Sequence, residues 1–203
     1  MRLSTFLPLA ALLPTALSFP NQKFVTRDTP SGLSTLLSSI DTLESDIQTL
    51  NTTLNNFQDA QLNTLTTLLA IQKQSSALAT DITTATEIAH NTCPLDQSDS
   101  LTLGLATLAL SPRIFSLLST IVAKKPTFDD AALGVLDIST SIEQQLVHQK
   151  ELSRELGNAI TEVLDPSLTS LAAPVTQSIQ AAFEKAIAVY EGSGGYEYRY
   201  VDH

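Results

Sequence analysis

Two pairs of carboxylates, Asp129-Asp130 and Glu151/Glu155, come closest to an acid–base constellation in this 203-residue sequence. General acid–base work needs two titratable groups whose surroundings push their proton affinities apart. The first pair reads instead as a helix-start charge and the second as a solvated helix face. Histidine offers no better: His90, His148 and His203 lie far apart, and none belongs to a His-Glu-x-x-His or similar ligand spacing. Cys93 stands alone, so neither a zinc site nor an intramolecular disulfide is expected. Its simplest reading is a small buried side chain near a helix end. There is no glycine-rich phosphate loop and no Gly-x-Ser-x-Gly elbow. The residue types imply no enzyme, no metal and no cofactor.

Charge narrows the partners. The chain carries a net charge of −10, and Lys73, Lys150, Arg154 and Lys185 are scattered. Such a surface repels phosphate backbones and anionic headgroups, so no nucleic acid partner is expected. Only 16% of residues are charged, whereas serine and threonine number 46, so hydroxyls and amides must supply most of the surface polarity. Asn51-Thr52-Thr53 is an N-glycosylation acceptor, and attached glycans would offer a route to cell-wall polysaccharide.

The ends of the chain set the compartment. Arg2, the apolar run Leu3 to Leu17 and the small residues at Ala16-Leu17-Ser18 form a secretory signal peptide over 1–18. Residues 19–30 read as a flexible leader, 31–191 as one helical domain and 192–203 as a disordered tail. No later stretch reads as apolar enough to span a bilayer, and Tyr200-Val201-Asp202-His203 lacks a GPI-signal tail. The expectation is a released, secreted monomer.

Between those ends the pattern is helical throughout. Leu33, Leu36, Ile40, Leu43, Ile47, Leu50, Leu54 and Phe57 recur at spacings of three and four, the stripe of a long amphipathic helix that Asn55-Asn56 breaks. A second helix is expected from about Gln58 to Asn91, with Leu62, Leu65, Leu69, Leu78, Ile82, Ala85 and Ala89 inward, stopped by Cys93-Pro94. Leu101, Leu105 and Leu108 share one face of a helix over Ser98–Leu110. Ser111-Pro112 then either caps a new helix or kinks a continuous one. Lys124-Lys125 suits that helix's last carbonyls, and Pro126 closes it. Thr127-Phe128-Asp129-Asp130 resembles a capping box for a long helix carrying Phe128, Ala131, Val135, Ile138, Ile142, Leu146, Leu152 and Leu156. The last helix starts near Asp165-Pro166, meets Pro174, and carries Leu168, Leu171, Val175, Ile179, Phe183, Ile187 and Tyr190. The fold class is all-α, a bundle of five to six helices, two or three of them long.

Leu101 to Leu110 is apolar nearly all round. Such a helix is either central to the bundle or faces something apolar, such as a lipid. Here the sequence also resembles a known family. Leu108-Ala109-Leu110-Ser111-Pro112 through Leu117-Leu118, then Ile121-Val122-Ala123-Lys124-Lys125-Pro126-Thr127-Phe128-Asp129, is similar to the central signature of the fungal hydrophobic surface-binding protein A family, which includes the antigenic cell wall galactomannoproteins. Val25-Thr26-Arg27-Asp28 and Ala181-Ala182-Phe183-Glu184-Lys185-Ala186-Ile187 resemble its mature start and end. The resemblance covers roughly residues 25–191. It implies a secreted or wall-associated fungal helical bundle that holds fatty acids in an apolar cavity. Alternatively it implies an adhesion protein that adsorbs to hydrophobic surfaces and recruits hydrolases. It supplies no catalytic motif.

The expected cavity lining is Leu105, Leu108, Phe115, Leu118, Val122, Ile179 and Phe183, with Leu43 as ordinary core. The unbroken three-four spacing and the lone Cys93 predict far-UV circular dichroism dominated by helix and a monomer indifferent to reductant. A substantial sheet signal, or a dimer that reductant dissolves, contradicts this reading.

Overall fold

A computed structural model describes residues 31–58, 64–131 and 138–191. The signal peptide 1–18, the leader 19–30 and the tail 192–203 lie outside the described residues, as do Leu62 and Val135. Six helices are described and no strand: α1 (Ser31–Asn56), α2 (Thr64–His90), α3 (Gln97–Ala123), α4 (Lys125–Ala131), α5 (Ile138–Val163) and α6 (Thr169–Tyr190).

The five long helices close a ring. α1 packs on α2 and α3, α2 on α5, α5 on α6, and α6 back on α3. Side-chain bonds fix the directions. Glu44–Arg113, Asn51–Ser116 and Asn55–Lys124 run in step along α1 and α3, so these two are parallel. Ser75–Gln149 and His90–Glu162 make α2 and α5 parallel likewise. Lys150–Glu184 and the approach of Gly157 to Thr176 make α5 and α6 antiparallel. At the ordinary interhelix spacing of about 9–10 Å, each axis of a five-membered ring stands roughly 8 Å from the centre. A helix with its side chains reaches only about 5–6 Å. A slot wide enough for one hydrocarbon chain is therefore inherent in the arrangement.

One end of the slot is plugged. α4 lies across it, with Phe128 buried and stacked on Phe57, ring centroids 5.0 Å apart. Lys124 donates to the carbonyls of Asn55 at 3.0 Å and Phe57 at 2.8 Å. It thus serves the end of α1, not the end of its own helix as expected. Lys125 pairs with Asp129 at 2.7 Å and lies over the Tyr190 ring. Tyr190, fully buried, donates its hydroxyl to the Ile121 carbonyl at 2.7 Å and ties α6 to α3. Burial, and then the charge of Asp129, push the Tyr190 phenol well above its ordinary range. At the other end, Leu95 N–H donates to the Val163 carbonyl and Asp165 N–H to Ser100 Oγ.

Several expectations need correction. Pro112 sits inside a continuous α3; it removes the bond to the Leu108 carbonyl without ending the helix. α3 is also long and apolar enough to cross a membrane, with mean hydropathy 1.6 over its most apolar window, yet it packs as a wall of the ring. Thr127 does not cap a helix but lies within α4, and Pro126 stands at that helix's start instead of closing the one before. Asp129 is thus near the end of α4, where it accepts from Lys125 and from Ser139 at 2.6 Å. Desolvation opposes its ionisation, but those two hydrogen bonds and the lysine charge outweigh it and hold the carboxyl below its ordinary range. Leu65 and Leu69 are exposed; the inward phase of α2 runs through Ile71, Ser75, Leu78, Ile82, Ala85 and Ala89. Cys93 is exposed, not buried, because it follows the end of α2. The last helix starts at Thr169, three residues after Pro166, with no side-chain cap.

The hydroxyl-rich surface has its own geometry. Exposed Thr42, Thr49, Thr52, Thr80, Thr83, Thr84 and Thr102 each donate to the carbonyl four residues back. This back-bonding competes mildly with the helix's own ladder.

Between α1 and α2, Asp46 meets Asp81. Burial first, then the hydrogen bond and the charge of Asp81, raise the Asp46 carboxyl above its ordinary 3.8. A carboxyl raised by folding favours the folded state below that ordinary value and loses the benefit as pH rises through the raised one. Asp46→Asn should therefore raise the urea midpoint near neutral pH, with the gain fading below about pH 4. Equal midpoints at neutral pH would show that the pair exerts no strain.

Candidate functional site

The slot opens into an apolar cavity of about 220 Å3 lined from all five long helices. Bulk comes from Leu43 and Ile47 on α1, Ile82 on α2, Leu110 and Leu117 on α3, Leu156 on α5 and Phe183 on α6. Small side chains keep it open: Ser100, Gly104, Ser153, Gly157 and Ala172 all face it. Gly157 has a packing reason, since a β-carbon there would meet Thr176 Oγ1 at 3.0 Å. Gly104 has none, because a β-carbon would find nothing within 4 Å.

One corner is polar. Gln149 is buried on α5 and donates Nε2 to Ser75 Oγ at 2.9 Å and to the Ser75 carbonyl at 3.2 Å. Ser153 follows one turn later and also lines the cavity. Behind Gln149 lies a polar surface groove holding Ser76, Thr80 and His148. The cavity thus has an amide-and-hydroxyl corner next to water, and its other lining hydroxyls, Ser100, Thr107 and Thr176, are bonded to backbone groups. Among the described residues no Lys, Arg, His, Asp or Glu lines it. The arrangement can hold an uncharged hydrocarbon and orient a polar end.

Five of the seven residues expected at the site come together here: Leu105, Leu108, Leu118, Ile179 and Phe183. Phe115 and Val122 do not. They lie on a shallow outer groove between α3 and α6, which Leu118, Ala182 and Lys185 share. Leu43, expected as ordinary core, faces the cavity instead. Leu105 and Leu108 both line the cavity and stand about half exposed, so they form its mouth together with Leu101. Asn51 lies on α1 and donates to Ser116 Oγ at 3.1 Å. Glu151 accepts from Arg154. Sequence reasoning missed Gln149, Ser153 and Ser75. The available signal was phase: these polar residues occupy inward positions of stripes that are otherwise apolar.

The sequence profile of the hydrophobic surface binding protein A family matches residues 33–162, from the start of α1 almost to the end of α5. The chain belongs to that family. A curated relative, cell wall mannoprotein 1 of Aspergillus flavus, is 26% identical over 121 residues, 60% of this chain. The match covers 42% of that mannoprotein, so the chain spans about two fifths of its length. Among solved structures, AFMP4P in complex with palmitic acid superposes with a TM-score of 0.72 at 33% identity. That match covers 78% of this chain and 99% of the other. Ligand binding domain 2 of the Penicillium marneffei MP1 protein, complexed with multiple arachidonic acids, shares the fold. Its TM-score is 0.69 at 17% identity, over 83% of this chain and 99% of that domain. In this member of the hydrophobic surface binding protein A family, the Lys124-Lys125 motif therefore sits at the plugged end of the ring and not at the cavity.

Gly104 supplies a test of the cavity's shape. Glycine inside a helix costs roughly 0.5–1 kcal/mol relative to alanine. Gly104→Ala should raise stability by about that amount, read from urea denaturation, because its methyl enters open space. A loss of stability would mean that the space is filled.

Proposed function

We propose that this chain is a non-enzymatic fatty-acid-binding protein, secreted or held at the cell wall, that takes one acyl chain into the axis of its helical ring. The observation that carries the reading is the mainly apolar slot, uncharged among its described lining residues, with the Gln149–Ser153 corner on one side. The fatty acids in the complexes of AFMP4P and of the MP1 domain support it, as does the wall location in the name of the Aspergillus relative.

The energetics suit a long-chain acid. Burying about 14 methylenes at ~0.8 kcal/mol each gives an upper bound near 11 kcal/mol. Ordering the chain and the protein lowers this, leaving micromolar to tens-of-nanomolar affinity. At about 220 Å3 the cavity is smaller than the roughly 300–1,000 Å3 of ordinary ligand pockets. A long acyl chain therefore fills the axis and continues through the mouth past Leu105 and Leu108. The carboxylate cannot lie deep, because an unpaired charge there costs several kcal/mol. It belongs at the Ser153 hydroxyl, one turn beyond Gln149, where a donor can meet it.

Native mass spectrometry before and after delipidation tests the reading directly. The expected outcome is a discrete added mass of fatty-acid size that delipidation removes. Gly104→Phe supplies the matching variant: its ring fills the slot from a position with free space, so labelled-palmitate affinity should fall at least tenfold while helicity is retained. A folded Gly104→Phe protein that binds palmitate like wild type would place the ligand elsewhere.

A further inference from the structure

α3 has two apolar faces. Leu103, Leu110, Leu117 and Ile121 point into the ring and are buried. On the opposite side Leu101, Leu105, Leu108, Pro112 and Phe115 recur at spacings of four, three, four and three, a stripe about 21 Å long. The leucines are 53%, 59% and 52% exposed and Phe115 38%. The stripe is continuous with the cavity, since its first three leucines also form the mouth.

The surroundings say what such a face meets. No charged residue occurs in 100–112 on α3, nor in 166–183 across the mouth on α6. At the chain's average of 16% charged, about five would be expected over those positions. A seam between two copies of α3 would carry charges beside the apolar positions. Thr102, Gly104, Ala109 and Ser116 stand there instead, and the one charge within the span, Arg113, is paired with Glu44 on α1 at 3.2 Å. Charge is thus cleared from both banks of the mouth in an otherwise acidic protein. An apolar helical face of this kind lies down in the headgroup–acyl boundary of a bilayer, and the acidic remainder favours a neutral bilayer over an anionic one.

Resting on the fatty-acid reading above, we propose that the Leu101–Phe115 face of α3 docks on an uncharged lipid surface, so that the acyl chain passes between bilayer and cavity by direct contact without crossing water. Contact transfer and diffusion through water differ kinetically. Transfer by contact speeds up in proportion to acceptor vesicles, whereas transfer through water is limited by dissociation and ignores them.

The experiment uses the full chain, fluorescently labelled palmitate and phosphatidylcholine vesicles. Ala109→Glu/Phe115→Glu places one charge on the stripe and one beside it, both at positions outside the cavity lining. Thr102→Glu/Ala109→Glu repeats the test without removing an aromatic ring, and Ser141→Glu/Gln144→Glu on α5 controls for added charge. Wild type should float with the vesicles and transfer palmitate at a rate proportional to their concentration. Both stripe variants should keep their palmitate affinity in solution, float at least tenfold less, and transfer at a slow rate independent of vesicles; the control should match wild type. A wild-type rate independent of vesicle concentration, or stripe variants that transfer like wild type, would overturn the docking face. So would a wild-type dimer in sedimentation that the stripe variants dissolve, because the face would then be a contact between copies. If no variant, nor wild type, binds palmitate, the fatty-acid reading falls, and flotation alone decides whether the face docks on lipid.

Discussion

Five helices packed side by side at ordinary spacing leave their common axis unfilled, and the particular features of this bundle follow from how that axis is treated along its length. At one end large side chains close it: Phe57 stacks on Phe128, and Tyr190 is buried with its hydroxyl on the Ile121 carbonyl. Lys124 and Lys125 gather α1, α4 and α6 around that plug. Further along, small residues stand where bulk would be needed, and about 220 Å3 stays open. By the usual cost of roughly 24 cal/mol per Å3, an empty cavity of this size forgoes on the order of 5 kcal/mol. That is a sizeable part of the ~5–15 kcal/mol that holds an ordinary domain folded. A hydrocarbon guest restores the missing contacts, so occupancy and stability are linked in this fold.

The polar corner gives the cavity a direction. A slot lined by leucine and isoleucine alone would accept a chain either way round. Gln149 is the one amide among the described lining residues, and Ser75 from the neighbouring parallel helix holds it. Both Nε2 bonds are made within the protein, so the amide is positioned before any ligand arrives. It borders both the apolar axis and the surface groove at His148.

Much of this was legible in the residues, and the failures have common causes. The first helix's stripe, Leu33 to Phe57, is entirely inward as its spacing implies. In α2 the spacing places Leu78, Ile82, Ala85 and Ala89 inward correctly and only its first turns are out of phase, because Ser75 looks like a surface residue and Leu65 and Leu69 seem to continue the stripe. Only the partner on α5 explains why a serine belongs inside. The same pairing hid Gln149, since single-sequence periodicity treats an amide on an apolar stripe as an interruption. Leu101, Leu105 and Leu108 were rightly placed on one face, but a helix apolar all round does not reveal which face the bundle uses. Phe115 and Val122 fell outside the cavity for that reason. The expected capping box at Thr127 followed a spacing rule that a helix starting at Lys125 pre-empted, because Pro126 is well tolerated in a first turn.

The back-bonded threonines alter what the word polar means for this surface. A threonine whose hydroxyl hydrogen is turned onto its own helix has already committed its donor. What remains toward solvent is a methyl group and an oxygen with reduced capacity to organise water. Thr42, Thr49, Thr52, Thr80, Thr83, Thr84 and Thr102 all stand in this state. Counted by composition, the exterior is rich in hydroxyls; counted by the donors it offers to water, it is poorer by these seven. Removing water from these threonines against an apolar phase therefore breaks fewer hydrogen bonds than their number of hydroxyls implies.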